Sequence, residues 1–371
     1  SASLDSIGKF IFVACPNLTE INIPDNSSLK TIADSAFFTC GKVASINIPN
    51  SVEYIGDGAF EYCNSLQSIN IPSSLTAIRK NVFHGCTNLQ SAIIPQYVKS
   101  IGDDAFNNCS NLASVTFSSD LHLENIGKNA FRDCIKLQSL SIPKYVKTIG
   151  KSAFQNCSSL ESFDFNSNSV LESINDNLFN SCGKLGSIII PSSARTIGEQ
   201  AFAGCSNLTS VVIPGSVKNI GFAAFGGCQN LLSITIPNSV TYIGDRAFFD
   251  CTQLSSVTFE PIWKGHYSVK YIGEYAFANC VELTSIQIPE ELERIENYTF
   301  YGCTGLTEVK IPWTVLHIGD YAFYGCTGLT KASFMRHATV TTYLGKPADH
   351  DNLRSGSESD GVETIGVSAF Q

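Results

Sequence analysis

Residues 231–251 read LLSITIPNSVTYIGDRAFFDC, and close variants of this stretch recur along almost the whole chain. A phenylalanine stands three residues before each of the fourteen cysteines, and nine of the thirteen intervals between cysteines are 23 residues, three are 25 and one is 29. A period of this size is typical of a solenoid. The repeat therefore decides the organisation of the chain, whereas its length of 371 residues alone would suggest two or three domains.

The repeating unit, L-x-x-I-x-I-P-x-S-V-x-x-I-G-x-x-A-F-x-x-C, predicts one coil of chain per repeat. Apolar residues alternate with period two between Leu66 and Ile71, which predicts a short strand, and Pro72 ends it because proline cannot donate to a ladder. The Ala-Phe-x-x-Cys stretch predicts a single helical or 3₁₀ turn on the opposite side, with Phe and Cys turned inward. One coil cannot bury its own apolar face, but stacked coils share a continuous core.

These features predict an α/β repeat fold, a curved horseshoe-shaped solenoid of about 14 repeats of 23–25 residues. We expect a parallel sheet on its concave face and short helical or 3₁₀ turns on its convex face. One solenoid should span residues 1–371, with inserts at 260–270 and 335–360 and a partial terminal repeat at 361–371. Solenoids need polar caps, so we expect uncapped ends to be covered by further protein, by the 335–360 insert or by a second copy in an oligomer.

Composition excludes several classes of protein. The 24 Lys+Arg and 33 Asp+Glu residues give a net charge of −9, which argues against a nucleic acid or an anionic membrane surface as partner. With 43% hydrophobic residues and 24 phenylalanines, the chain is too apolar to be disordered. It contains no run of 18 apolar residues, so we expect no membrane-spanning segment. The start at Ser1 shows no charged-then-apolar leader, so a signal peptide is expected to be absent or removed.

The unit resembles the leucine-rich repeat of the BspA type, which occurs in bacterial surface antigens and in surface proteins of some parasitic protists. The resemblance covers Leu4 to Phe334 and the partial repeat at 361–371. It implies a leucine-rich-repeat solenoid and a non-enzymatic protein that is extracellular or at the cell surface. It also implies adhesion to host matrix proteins, host cells or other microbes, through a protein or glycan ligand. The alternative is a structural stalk or spacer that presents another domain.

The cysteines predict neither disulfides nor a metal site. Each of them occupies one inward slot of the repeat, where cysteine behaves as a small buried hydrophobe, and we expect free thiols. No Cys-x-x-Cys or Cys/His spacing suits zinc, and we expect no metal and no cofactor. The six histidines share no slot, and the chain has no G-x-S-x-G, H-E-x-x-H or phosphate-binding glycine motif. We therefore expect no enzymatic activity.

Two surfaces are candidates for binding. The slot before the central apolar strand residue is serine in eleven consecutive repeats, from Ser45 to Ser285. It could form a platform for carbohydrate or an extended peptide, but binding hot spots favour Trp, Tyr and Arg, so a repeated packing solution is the stronger interpretation.

The second candidate is the late part of the chain, where both tryptophans and eight of the thirteen tyrosines follow residue 260. Insertions rimmed by aromatic residues are common binding places on solenoids. The alternative is that these aromatic side chains only cover the coil edges and that the long insert is a flexible loop. We predict partner binding at the following aromatic and histidine residues: Trp263, His266, Tyr267, Trp313, Tyr298, Tyr301, Tyr321 and Tyr324.

Overall fold

The computed structural model describes residues 4–119, 121–261, 268–335, 364–366 and 368–370. These residues form a parallel β-solenoid in which each repeat contributes one coil. Every pairing between neighbouring coils is parallel and in register, as between Ser187 and Ser210 or Ile197 and Ile220. The predicted leucine-rich-repeat solenoid of about 14 turns is therefore present.

Two columns of strands run along the solenoid, and each is divided into stretches of two to five hydrogen-bonded strands. We call these columns the first sheet and the second sheet, and we number the strands in chain order. The first column comes from the Leu-x-x-Ile-x-Ile stretch, as predicted. Its strands are β3 (Ser45–Ile46), β5 (Ser68–Ile69), β7 (Ser91–Ile94), β9 (Ser114–Phe117), β11 (Ser139–Ser141), β13 (Ser162–Asp164), β15 (Ser187–Ile189), β17 (Ser210–Val212), β19 (Ser233–Ile236), β21 (Ser256–Phe259), β23 (Ser285–Gln287), β25 (Glu308–Ile311) and β27 (Lys331–Phe334).

The second column was not expected from the sequence, and it comes from the two residues that end at the isoleucine of the Ile-Gly pair. Its strands are β1 (Ser6–Ile7), β2 (Thr31–Ile32), β4 (Tyr54–Ile55), β6 (Ala77–Ile78), β8 (Ser100–Ile101), β10 (Asn125–Ile126), β12 (Thr148–Ile149), β14 (Ser173–Ile174), β16 (Thr196–Ile197), β18 (Asn219–Ile220), β20 (Tyr242–Ile243), β22 (Tyr271–Ile272), β24 (Arg294–Ile295), β26 (His317–Ile318) and β28 (Thr364–Ile365). Two-residue strands are too short for any periodicity to reveal.

The prediction of helical or 3₁₀ turns is wrong, because the described residues contain no helix. In the Ala-Phe-x-x-Cys stretch the backbone N–H groups alternate between two kinds of acceptor. The N–H of Phe202 donates to the carbonyl of Ala224 in the next coil at 2.8 Å, whereas that of Ala203 donates locally to Gln200 at 3.1 Å. Gln200 and Gly204 have positive φ angles of 53° and 71°. In an α-helix the backbone N–H groups donate to carbonyls of the same helix. Here every second N–H group donates to the next coil, so this stretch cannot be helical.

The aspartates that follow the Ile-Gly pair cap the next coil and not their own turn. A side-chain oxygen of Asp103 accepts the backbone N–H of Lys128 at 2.7 Å, and one of Asp176 accepts that of Glu199 at 3.0 Å. Each acceptor therefore ties two neighbouring coils together.

A continuous stack of phenylalanine rings occupies the core. Fifteen rings from Phe12 to Phe370 follow one another with centroid separations of 5.1–5.9 Å and interplanar angles of 4–28°. Phe323 stacks on Phe370, so the short last segment continues the column.

All fourteen cysteines are free, which confirms the prediction of unpaired thiols. Thirteen of them, from Cys40 to Cys326, donate the Sγ–H group to the phenylalanine carbonyl of the preceding coil at 3.1–3.3 Å. The slot thus requires a small apolar residue that also carries a donor. Burial raises the pKa of each of these thiols, to about 12 at Cys63 and Cys205.

The glycine of the Ile-Gly pair allows the backbones of two neighbouring coils to lie in close contact. A substitution at Gly221 tests this role. A Cβ atom at Gly221 would lie 2.7 Å from the carbonyl carbon of Gly198 and 2.8 Å from the backbone nitrogen of Glu199. Gly221→Ala should therefore lower the free energy of unfolding by about 1–3 kcal/mol, as overpacking does, in a urea titration. Gly186→Ala is the matched control, because nothing lies within 4 Å of its Cβ position. Equal stability of the two variants would contradict close approach as the reason for the glycine.

Candidate binding surfaces

The serine column of the first sheet faces solvent, as the alternation predicts. All eleven serines from Ser45 to Ser285 are exposed, while the residue after each one packs inward. This face is not uniformly polar. Ile189 and Val212 are 72% and 56% exposed and lie side by side in register on β15 and β17.

A cluster of tyrosines lies on the turns near residues 275–324. Tyr275, Tyr298 and Tyr321 occupy the same slot in three successive coils, and their rings stack at 4.5 and 5.0 Å. Tyr301 and Tyr324 form a second stacked row at 5.5 Å. Contacts of 5.9 Å (Tyr298 with Tyr301) and 5.5 Å (Tyr321 with Tyr324) join the two rows. We call these five residues the tyrosine cluster.

The backbone of the first row is strained. Tyr275, Tyr298 and Tyr321 have φ angles of 56°, 57° and 55°, in the left-handed region that bulky residues avoid. The conformation belongs to the fold, because the same slot has a positive φ in the other described coils, where it holds Gly58 and Asn129 but also Phe10, Gln200 and Arg246. The backbone therefore does not select tyrosine at this slot, and the three successive tyrosines are distinctive for the stacked aromatic surface that they form.

Two members of this surface were missed from the sequence. Tyr275 is 23 residues before Tyr298, so the repeat spacing contained the signal for it. The guanidinium of Arg246 lies 5.3 Å from the ring centroid of Tyr275 and extends the first row by one coil. Desolvation raises the pKa of Tyr298, and the neighbouring rings of Tyr275 and Tyr321 raise it further.

Trp313 lies apart from the tyrosine cluster, so the structure does not bring all the predicted residues together. It lines a groove of about 780 Å³ beside the second sheet, with Tyr271, Lys270 and the acidic residues Glu290 and Glu293. None of the predicted tyrosines lines that groove. Trp313 is 40% exposed.

The other predicted residues lie outside the described part of the chain. Trp263, His266 and Tyr267 belong to residues 262–267, and the insert predicted at 335–360 is described only at Met335. Binding at these positions stays a prediction.

Comparison with known proteins decides the family. The model of the BspA-type leucine-rich-repeat region matches residues 5–123, 77–206, 172–264 and 263–371, in six copies. The chain belongs to the BspA-type leucine-rich-repeat family. A leucine-rich repeat protein from Bacteroides ovatus is similar to this BspA-type protein at 29% identity, with 89% of each chain covered and a TM-score of 0.56. A leucine rich cell surface protein from Faecalibacterium prausnitzii is similar at 30% identity, with 89% of this chain and 83% of that one covered and a TM-score of 0.51. No curated protein sequence matches.

Metal and membrane features of this BspA-type protein can be stated for the described residues alone. There, no group of three or more His, Cys, Asp and Glu side chains could hold a metal ion. In the same ranges, no helix is long and apolar enough to cross a bilayer. The three described histidines lie in separate coils, where His84 contacts Tyr62, His122 contacts Tyr145 and His317 contacts Thr364.

Proposed function

We propose that this protein is a non-enzymatic binding protein, secreted or held at the cell surface, that adheres to host matrix proteins, host cells or other microbes. The observation that carries the proposal is the pair of stacked tyrosine rows on the turns, formed by Tyr275, Tyr298 and Tyr321 and by Tyr301 and Tyr324. The family and the similar cell surface protein support the location.

The tyrosine cluster has the chemistry of a binding hot spot. Tyrosine and arginine are enriched at such sites, because a rigid ring offers a large apolar area and the hydroxyl or guanidinium supplies hydrogen bonds. The rings are held by stacking on their neighbours and by the coils beneath, so little side-chain entropy remains to be lost when a partner binds. A protein partner is the ligand that fits these two rows best.

Replacing Tyr298 with asparagine should separate binding from stability. Asparagine tolerates the left-handed conformation and occupies this slot at Asn129. Relief of about 1 kcal/mol of strain therefore offsets part of the loss of three ring contacts, each worth about 0.5–1.5 kcal/mol. We expect Tyr298→Asn to melt several degrees below the parent and to remain fully folded at the temperature of the binding assay. Its affinity for a captured partner should fall at least about 10-fold, as at a hot spot.

The measurement is surface plasmon resonance of the full chain on immobilised matrix proteins, glycans and host cell membranes. Tyr97→Ala is the matched control, since Tyr97 is 59% exposed and far from the cluster in the repeat order. Equal binding by the parent and by Tyr298→Asn would remove the tyrosine cluster from the binding site. The absence of any saturable partner would favour the stalk or spacer.

A further inference from the structure

A notch near the middle of the solenoid arises from the lengths of three successive repeats. The intervals that end at Cys134, Cys157 and Cys182 are 25, 23 and 25 residues. The connections that follow β9 and β13 are therefore longer than the connection that follows β11, and they lie on either side of it. We call these connections the exits of their strands. Between them lies a cavity of about 470 Å³, a size typical of small-molecule sites.

The lining of this notch combines apolar carbons with neutral hydrogen-bonding groups. Ile142 and Pro143 lie on the short exit, and Phe117 lies at the end of β9. Hydroxyl groups come from Thr116, Ser118 and Ser141, and the Asn166 amide lies on the far side. Exposed polar groups over an apolar base are what a ligand with hydroxyls on a carbon ring requires.

One wall is aromatic and positively charged. The rings of His122 and Tyr145 stack at 4.7 Å with an interplanar angle of 20°. The Nζ atom of Lys144 lies 4.7 Å from the ring centroid of Tyr145. Tyr145 is 40% exposed, so this wall is open to a ligand.

Lys144 is the charged group on the lining of the notch, as far as the described residues show. No carboxylate is among these described lining residues, and Lys144 forms no ion pair in the same ranges. The nearby acidic side chains are already engaged, since Glu124 pairs with Lys147 at 2.7 Å and Asp164 accepts the Ser141 hydroxyl at 3.1 Å. The ammonium group of Lys144 contacts the Tyr145 ring and no described carboxylate, so it favours an anionic ligand.

We propose that this notch binds a pyranose ring that carries a carboxylate, as in a uronic acid residue of a glycan. The carboxylate pairs with Lys144, and the hydroxyls bond to Thr116, Ser141 and Asn166. The C–H face of the ring packs on the His122–Tyr145 wall, where the electron-rich aromatic faces attract polarised C–H groups. This site is separate from the tyrosine cluster and does not depend on the function proposed above.

Isothermal titration of the full chain with methyl glucuronide and methyl glucoside tests the assignment, because the two sugars differ only at C6, which is a carboxylate in the first and a hydroxymethyl group in the second. We expect the glucuronide to bind at least about 5-fold more tightly than the glucoside, and added salt to reduce this preference, as for an ion pair. Equal affinities, or binding of neither sugar, would overturn the proposal.

Variants locate the binding within the notch. Lys144→Gln introduces the residue that another coil carries at the same slot, Gln96, and should remove the preference for the glucuronide. Tyr145→Ala should weaken the binding of both sugars. Tyr97→Ala should change the binding of neither, since Tyr97 occupies the same slot in an earlier repeat, outside the notch. A preference retained in Lys144→Gln would show that the carboxylate binds elsewhere. Tyr298→Asn should bind the glucuronide like the parent, so this test stands or fails apart from that of the tyrosine cluster.

Discussion

The solenoid is expected to unfold when the pH is raised from about 8 to about 10, where unfolded cysteines ionise. Thirteen thiols from Cys40 to Cys326 are held as donors inside the coil stack, and burial raises their pKa, to about 12 at Cys63 and Cys326. The folded chain therefore keeps protons that the unfolded chain loses. A raised folded-state pKa gives stability that is fully present below about 8.5 and is lost as the pH rises toward the folded value.

The expected effect is large because the thiols add together. Each contributes about 1.4 kcal/mol per pH unit above the unfolded pKa, so the column loses on the order of 15 kcal/mol over the first unit. That is comparable to the whole stability of a typical domain. The measurement is the circular dichroism spectrum between pH about 7 and 11 under reducing conditions. We expect the native spectrum to be lost in the pH range in which unfolded thiols ionise.

A pair of variants serves as the control for the alkaline transition. Cys182→Ala removes one fully buried thiol and should lower the number of protons released on unfolding by about one, from the linkage slope. Cys15→Ala, which removes the half-buried thiol of the first coil, is the matched comparison. A native spectrum that persisted throughout the titration would refute the claim that the thiols control alkaline stability.

Replacing a central phenylalanine of the stacked column with alanine should destabilise the protein more than any other single large-to-small substitution. Phe202 is completely buried and stacks on Phe179 at 5.4 Å and on Phe225 at 5.2 Å. Phe202→Ala leaves a cavity that neighbouring coils cannot close, because both flanking rings are held by their own coils. We expect a loss of about 3–5 kcal/mol in the free energy of unfolding, measured by urea titration.

Phe222→Ala is the control for this substitution. Its ring is 39% exposed and lies outside the column, so the expected change is within about 0.5 kcal/mol. Similar losses in the two variants would mean that the column does not dominate stability.

Much of the fold follows from the sequence, because the repeat makes its pattern locally readable. The period gives the number of coils, and the alternation around Leu66 and Ile71 identifies the first sheet and its inward face. The constant Phe and Cys slots identify the core and the free thiols. Four of the five clustered tyrosines were also identified from the sequence, and the fifth, Tyr275, shares their spacing.

The tertiary structure alone decided the features that need a partner in a neighbouring coil. The turns are not helical because alternate N–H groups, such as that of Phe202, find acceptors in the next coil. The second sheet, the aspartate caps and the thiol hydrogen bonds depend on the same stacking. The strain at Tyr298 and the notch beside Tyr145 likewise exist only once coils of particular lengths lie side by side. A repeat pattern specifies what one coil turns inward, whereas contacts between coils depend on groups 22 or more residues away that no local pattern relates.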